Sequence, residues 1–295
     1  MKTYQLFVDS HCDLSQEEAE KLGYIFIAMP YSIKGVLFFP CCGTNPTPKH
    51  FYQAMREGAE AKTHSLNPEE YKDIFRPTLK LGLDVVYVSL SSQMTGTFNN
   101  LEIAWRELEQ EFPRRRLVRI DTLAVTAPMN YLARYIAELA VTEPSIDELV
   151  EKSQDIISRI RLYFFPDNLN YFKRSGRVSN SAALMGGFFG IRPLMTINAK
   201  GELVVLKKIR GRKKVMEVIG QLIAEEIDDN ENQLLFANSD MQPEMVNDFV
   251  RCILSSLAPL KKIDIIQHLI INPTTGAHCG PDAVGVCFVA KKPRS

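Results

Sequence analysis

Three stretches of the chain carry side chains that can bind an anion or take part in proton transfer. They are Thr63-His64-Ser65, the segment from Ser91 to Thr97, and the glycine-flanked segment around His278. Hydroxyl groups and imidazoles donate hydrogen bonds to carboxylates and phosphates. Each stretch adjoins an apolar run that is typical of a strand, and ligands of open α/β sheets bind at strand ends. The sequence therefore predicts one anion pocket built from three loops that are distant along the chain.

Hydroxyl side chains are concentrated in the first two stretches. Four of the seven residues from Ser91 to Thr97 carry a hydroxyl, which exceeds what one helix cap requires. Free N–H groups at a helix start, together with such hydroxyls, suit a carboxylate or a phosphate. In the first stretch, capping of the next helix by Ser65 or Asn67 is the alternative explanation. Capping and anion binding both remain open there.

Cations cluster twice in the second half of the chain. The run from Lys173 to Arg177 places three cations around one glycine, and the run from Lys207 to Lys214 has six basic residues in eight. Arginine is suited to paired contacts with a carboxylate or phosphate, although such runs are usually solvated. The second run is compatible with nucleic acid, a phosphorylated ligand or an acidic protein partner. The lack of interleaved aromatic residues argues against nucleic acid.

Length and composition set further bounds. The chain has 295 residues, enough for one large or two medium domains. Lysine plus arginine number 35 and aspartate plus glutamate number 35, so the net charge of 0 does not favour a general nucleic-acid binder. The first residues enter a strand at once, which predicts no signal peptide. No apolar run approaches the roughly 18 residues of a membrane span. Six scattered cysteines indicate reduced thiols, so we expect a cytoplasmic protein.

Motifs of known catalytic and metal sites are missing. His11-Cys12, Cys41-Cys42 and His278-Cys279 lack the spacing of a local metal site, so we expect no metal. No Walker-type phosphate loop, nucleophile elbow or dinucleotide fingerprint occurs. Two hypotheses remain. One is a binding protein without catalytic activity, and the other is a hydrolase or phosphoryl-transfer enzyme that uses His278, a loop hydroxyl and an aspartate.

Strand-like and helix-like segments alternate along the chain, which predicts a parallel α/β layer. The clearest strand runs from Val85 to Leu90, a β-branched stretch expected to be covered on both faces. We place a domain boundary between residues 160 and 161, giving domains 1–160 and 161–295. The small apolar segment from Ala182 to Ile191 predicts either the wall of an apolar cavity or a core helix.

Taken in order, these pieces resemble the DegV family of bacterial fatty-acid-binding proteins over almost the whole chain. Each piece is weak alone, but the ordered set is specific. The matching pieces are Val8-Asp9-Ser10 with Asp13-Leu14, Lys62-Thr63, Ser91-Ser92 with Thr95-Gly96-Thr97, Val118 to Thr122, Lys173 to Val178, Ile191-Arg192-Pro193 with Gly201-Glu202, Arg210 to Lys214, and His278 with Gly280-Pro281 and Ala283-Val284-Gly285.

The resemblance implies a fold and a function. The fold is two α/β domains, with a parallel sheet in the N-terminal domain, a mixed sheet in the C-terminal domain and the ligand between them. The ligand is a long-chain fatty acid, with no cofactor, and its acyl chain runs in a tunnel into the second domain. Some members present the carboxylate to a separate fatty acid kinase subunit and perform no chemistry themselves. Transient contact with a membrane surface is compatible with this role.

The resemblance also implies which residues act. The carboxylate-binding positions fall on Thr63, Ser92, Thr95 and His278, with Arg174 near the head group. Arg210 and Arg212 fall on the loop that is implicated in docking the kinase subunit.

The chain departs from the family pattern at several of these places. His64 stands where a serine is usual, Thr95 replaces a serine, and Ser10-His11-Cys12 replaces Ser-Thr-Ala. Pro40-Cys41-Cys42-Gly43 replaces an acidic-Gly element. Asp282 replaces a glycine near His278, where a carboxylate would either repel a bound carboxylate or orient the histidine.

Overall fold

The computed structural model of the protein describes residues 3–40, 46–142, 144–179 and 190–295. The predicted cavity wall or core helix from Ala182 lies largely outside these residues, as do Cys41 and Cys42.

The strands are β1 Tyr4–Asp9, β2 Tyr24–Ile27, β3 Tyr31–Ile33, β4 Val36–Phe38, β5 Ala61–Thr63, β6 Asp84–Ser89, β7 Leu117–Asp121, β8 Ile160–Pro166, β9 Ile191–Ile197, β10 Leu203–Arg210, β11 Gln233–Asn238, β12 Ile265–Ile270 and β13 Ala283–Val289. The α-helices are α1 Gln16–Lys21, α2 Pro48–Arg56, α3 Pro68–Lys80, α4 Phe98–Glu111, α5 Ala127–Ala140, α6 Ile146–Arg159, α7 Leu169–Ser175, α8 Arg212–Glu226, α9 Pro243–Leu257 and α10 Pro273–Cys279.

A four-stranded parallel sheet forms the first layer, in the order β2-β1-β6-β7. Its central strands are almost wholly apolar, because helices cover both faces and leave no side of the strand in water. Val8 on β1 pairs with Val88 on β6, and Val88 pairs with Ile120 on β7. The predicted strand over 85–90 is confirmed as β6, and its carboxyl end leads into the hydroxyl-rich turn.

A small three-stranded antiparallel sheet, in the order β4-β3-β5, is inserted between β2 and β6. Tyr31 on β3 pairs with Thr63 on β5, which fixes the position of that threonine at the sheet's end. Helix α2 packs on this sheet through Phe51 and Tyr52, both fully buried. The insertion therefore holds Thr63 on its own small apolar core.

A six-stranded mixed sheet forms the second half, in the order β10-β9-β8-β13-β11-β12. Only the pair β11-β12 is parallel among its described strand pairs. Helices α8 and α9 cover one face around Phe236, Phe249 and Phe288. The predicted fold class, an α/β protein with a parallel sheet first and a mixed sheet second, is confirmed.

Local signals set the helix starts. Asn67 caps α3, and Glu70 bonds back to it in a capping box, so the capping explanation holds for Asn67 and not for Ser65. The prediction of a loop for the glycine-flanked segment around His278 is wrong, because Pro273–Cys279 forms a helix capped by Asn272. The turn comes just after it, at Gly280, whose φ of 70° favours glycine. Within the described residues, no helix has both the length and the apolar character to cross a membrane.

Candidate ligand-binding site

His278 and Thr63 meet although they are 215 residues apart in sequence. The Nε2 atom of His278, in the last turn of α10, lies 3.0 Å from the Oγ1 atom of Thr63 at the end of β5. Helix α2 brings the two elements together, because the Tyr52 hydroxyl donates to the Ile271 carbonyl just before α10, at 2.7 Å. Gly276 permits this close approach, since a Cβ atom there would come within 2.4 Å of that hydroxyl.

A cavity with polar side chains surrounds this pair. We call it the polar cavity, and its lining joins the predicted Thr63, Thr95 and His278 to residues that the sequence did not single out. The full lining is His11, Thr63, Leu90, Met94, Thr95, Val125, Arg177, Leu203, Thr275 and His278. The three predicted loops thus converge on one place, at the carboxyl ends of β1 and β6.

A second cavity, which we call the apolar cavity, adjoins the first. It lies against the mixed sheet, and its wall is almost wholly hydrocarbon. The lining is Val125, Thr126, Leu162, Phe164, Phe172, Leu203, Ala237, Ile271, Thr275, His278, Cys279, Ala283, Val284 and Gly285. The two cavities share four residues, Val125, Leu203, Thr275 and His278. One elongated ligand can therefore place a polar end in one cavity and an apolar end in the other.

His278 is a neutral imidazole at physiological pH. Burial, with smaller contributions from the nearby positive charge of Arg177 and from the neighbouring His11, lowers its pKa to about 4. A neutral ring offers one N–H donor and one acceptor nitrogen. His278 can therefore orient a ligand by a hydrogen bond, but it supplies no charge to balance a carboxylate.

His11 also lines the polar cavity. It lies in a 3-10 turn, Ser10–Cys12, directly after β1, and its Nδ1 atom is 2.7 Å from Oδ1 of Asp9. Asp9 is fully buried and also accepts hydrogen bonds from the Tyr87 hydroxyl and from the backbone N–H of Leu90. Sequence reasoning did not identify His11 as a cavity residue, because it stood out only as a departure from a family pattern and in a pair without metal-site spacing.

The remaining head-group predictions fall in different places. The Ser92 N–H faces the carboxylate of Asp121, and its hydroxyl accepts from the Gln93 amide at 3.3 Å. Arg174 stacks on the ring of Tyr171 at 5.0 Å and lines two clefts beside the polar cavity, one of which is also lined by Thr63, Arg177 and His278. Arg177, three residues further along the same basic run, lines the polar cavity itself. The described cavity therefore has Arg177, rather than Arg174 or Ser92, in its wall.

The two arginines expected to dock a partner differ in their surroundings. Arg210 is exposed at the end of β10, an edge strand of the mixed sheet. Arg212, at the start of α8, pairs with Asp167, and Arg192 pairs with the same carboxylate at 3.0 Å. Arg212 is thus tied into an internal ion-pair cluster, whereas Arg210 projects from the sheet edge.

Asp282 neither faces the ligand cavities nor contacts His278. Its carboxylate accepts two hydrogen bonds from Arg56 of α2, at 2.8 and 3.3 Å. Arg56 also binds the Asp240 carboxylate at 2.6 Å. Both alternatives considered for Asp282, repulsion of the ligand and orientation of the histidine, are therefore replaced by a third. This ion-pair cluster links α2 to the mixed-sheet half of the molecule.

Two buried polar atoms near the site have no hydrogen-bond partner, the Oδ2 atom of Asp13 and the hydroxyl of Thr275. Burial raises the pKa of Asp13 to about 8, although its other oxygen accepts from the Asn272 N–H at 2.8 Å. Burial also raises the pKa of the Cys279 thiol to about 12, so this cavity-lining cysteine stays protonated.

Within the described residues no group of three or more metal-ligating side chains comes together.

Comparison with known proteins agrees with this architecture. The family described as "Uncharacterised protein, DegV family" matches residues 3–291. A DegV domain-containing protein of Clostridium perfringens is 29% identical over 292 residues, which cover 98% of each chain. A fatty-acid-binding DegV family protein from Streptococcus agalactiae has the same fold, with a TM-score of 0.85, 22% identity and coverage of 99% of this chain and 100% of that one. A DegV family protein from Thermus thermophilus, described for its fatty-acid binding, has a TM-score of 0.82 at 22% identity over 97% of this chain and 99% of its own. Because the family match spans nearly the whole sequence, the protein belongs to the DegV family.

Proposed function

We propose that the protein binds a long-chain fatty acid, with the carboxylate in the polar cavity and the acyl chain in a tunnel that begins at the apolar cavity. The observation that carries this proposal is the shared wall of the two cavities, where His278 and Thr275 line both. The fatty-acid binding of the two DegV structures described above supports the same ligand class. We further propose that Thr63, Thr95 and His278 donate or accept the hydrogen bonds that hold the head group.

The energetics favour such a ligand. A 16-carbon chain buries about 15 methylenes at about 0.8 kcal/mol each, or about 12 kcal/mol in all before the costs of association. The walls of the apolar cavity match this requirement, since Leu162, Phe164 and Phe172 contribute only hydrocarbon. The polar end needs only to hold and orient one carboxylate, and it does not have to supply most of the affinity.

The protein's role, we propose, is to present this carboxylate to a separate fatty acid kinase subunit in the cytoplasm, without catalysing the reaction. Exposed Arg210, together with its basic neighbours on β10, is suited to an acidic surface on such a partner. Arg212 would contribute by fixing the start of α8 through Asp167. The ligand itself enters and leaves membranes, so transient contact with a membrane surface belongs to this proposal. Nucleic-acid binding does not belong to this proposal.

The contact between His278 and the Thr63 hydroxyl resembles part of a catalytic triad, which is relevant to the enzymatic alternative. Catalysis of that kind needs a hydroxyl, an imidazole and an orienting carboxylate in one chain of hydrogen bonds. Within the described residues His278 bonds to a hydroxyl but to no carboxylate, whereas His11 bonds to a carboxylate but to no side-chain hydroxyl. The two halves belong to different histidines, which favours binding over hydrolysis.

Native mass spectrometry of the protein as purified tests the proposal directly. We expect a bound species with the mass of a long-chain fatty acid, removed by delipidation and restored by added palmitate. Incubation with acyl esters and phosphate esters should give no turnover. Turnover that is lost in His278→Gln, in protein that retains no fatty acid, would favour the enzymatic alternative instead.

A further inference from the structure

His11, whose ring contacts the buried carboxylate of Asp9, lines the polar cavity, and the proposed function does not yet use it. We infer that protonated His11 provides the positive charge that pairs with the fatty acid's carboxylate, so that binding takes up a proton. The inference rests on the proposed function and adds to it the charge partner of the head group. It makes His11, held by Asp9, a ligand-binding residue of the polar cavity.

Asp9 holds the imidazole of His11 in one orientation. The carboxylate is fully buried and accepts from the His11 N–H at 2.9 Å, the Tyr87 hydroxyl at 2.7 Å and the Leu90 N–H at 3.3 Å, besides the ring contact at 2.7 Å. Three donors other than the ring thus converge on this carboxylate. Asp9 accepts from the Nδ1–H of His11 and leaves Nε2 as the atom for a ligand.

The backbone around His11 is also fixed. The Thr126 N–H donates to the His11 carbonyl at 2.8 Å, and Thr126 adopts a φ of 57°, which is unusual for a β-branched residue. The side chain of His11 is 12% exposed, so it contacts the cavity without opening widely to solvent. A fixed ring that needs no rearrangement is suited to hold a head group.

A carboxylate in this cavity needs a compensating charge, because burying an unpaired charge is costly. Asp9 from β1 contacts the His11 ring, and Tyr87 from β6 contacts that carboxylate. His278 from α10 and Arg177 after α7 line the same cavity as His11. His278 is neutral, and Arg177 donates through one of its terminal nitrogens to the Ser175 carbonyl at 2.6 Å. An imidazolium at His11 would lie between two carboxylates, Asp9 behind it and the ligand in front, which stabilises its charged form.

Isothermal titration calorimetry of the delipidated, full-length protein with myristate tests this assignment. Titrations in two buffers of different ionisation enthalpy give the number of protons taken up per myristate. We expect wild type to take up more protons than His11→Gln near pH 7.5, by up to about one. His11→Gln should weaken myristate affinity about 10- to 150-fold at pH 6.5, the range of a charge-assisted hydrogen bond, and much less at pH 9.

Matched variants keep the test sharp. Arg177→Gln removes a permanent charge, so its effect on affinity should be similar at both pH values. His11→Asn serves as a second variant if His11→Gln unfolds, and the proton count of the wild type needs no variant at all. Equal proton counts in wild type and His11→Gln, or an affinity loss that does not depend on pH, would overturn the assignment of His11 as the charge partner but leave the proposed function standing. Failure of the wild type to bind myristate would overturn the proposed function as well.

Discussion

The two histidines of the polar cavity have opposite surroundings. His278 lies on α10 beside the hydroxyl of Thr63, and burial lowers its pKa to about 4, so it is neutral. His11 lies after β1 with a buried carboxylate behind its ring. A neutral imidazole positions a ligand through the direction of its hydrogen bond. An imidazole backed by an aspartate can also carry charge. The cavity therefore separates orientation from charge compensation and assigns them to different histidines.

The same contrast shows what the neighbouring carboxylates do. Asp9 is fully buried and fully hydrogen-bonded, and it serves His11. Asp282, close to His278 in sequence, is turned away and bound by Arg56. Closeness in sequence therefore does not predict which histidine a carboxylate contacts, because the helix or strand that carries each side chain sets its direction.

The largest effect should come from removing the charge behind His11. Asp9→Asn should lower the free energy of unfolding by about 3–5 kcal/mol, because it removes a buried carboxylate that accepts four hydrogen bonds and leaves donors unpaired. Urea denaturation gives this value. As a control, Asp147→Asn removes an exposed acid that pairs with Arg116, and it should lower the free energy of unfolding far less than Asp9→Asn does. Similar values for the two variants would mean that Asp9 does not organise this side of the cavity.

Asp13 connects the two histidines, since it lies two residues after His11 and accepts from the backbone at the start of α10. Its pKa is raised to about 8 in the folded protein, so the fold keeps a proton that the unfolded chain releases near pH 4. Its contribution to stability is complete below about pH 4 and is lost as the pH rises towards 8. The loss between pH 5 and pH 8 is up to about 4 kcal/mol, at about 1.4 kcal/mol per pH unit.

Denaturation at a series of pH values measures this effect. Asp13→Asn keeps the acceptor for Asn272 and should remove the loss of stability between pH 5 and 8. His278 acts in the opposite sense, because its lowered pKa costs stability as the pH falls from 6.5 towards 4. His278→Gln should therefore change the profile only on the acid side. Identical profiles for wild type and Asp13→Asn would show that the Asp13 carboxyl is not the buried acid described here.

Thr63→Val tests the orienting side of the comparison. It preserves shape but removes the hydroxyl beside His278 and one donor to the head group, so we expect palmitate affinity to fall about 10- to 150-fold. Thr95→Val should have a similar effect. Fluorescence displacement gives the affinities, with hexadecanol as the control ligand because it carries no charge. Unchanged palmitate binding in both variants would remove these hydroxyls from the head-group site.

The smallest effect concerns the boundary between the cavities. The Thr275 hydroxyl is buried without a partner, so Thr275→Val should stabilise the delipidated protein by about 1 kcal/mol. Thermal or urea unfolding measures this directly. A ligand that supplies the missing partner should reduce the gain in the loaded protein. Destabilisation of the delipidated protein by Thr275→Val would mean that its hydroxyl is already satisfied.

Several elements followed from the sequence, and others could not. Apolar runs and caps are local signals, so the strand from Val85 to Leu90 was predicted closely, and Asn67 was one of the two caps considered for α3. Helix α10 was missed because its seven residues include a proline, a glycine and two threonines, which are typical of turns. Its helical form depends on the Asn272 cap and on packing against Tyr52, which is contributed by a distant segment.

The sequence by itself determined the alternation of strands and helices, the family resemblance and the three polar stretches, because each depends on residues that are close together in the chain. Only the tertiary structure decided which side chains share a cavity. It placed His11 and Arg177 in the polar cavity, left Arg174 on Tyr171 and paired Asp282 with Arg56, 226 residues away. The physical reason is that sheet order and helix packing bring remote strand ends together, and a side chain's partner depends on that meeting rather than on its neighbours in the chain.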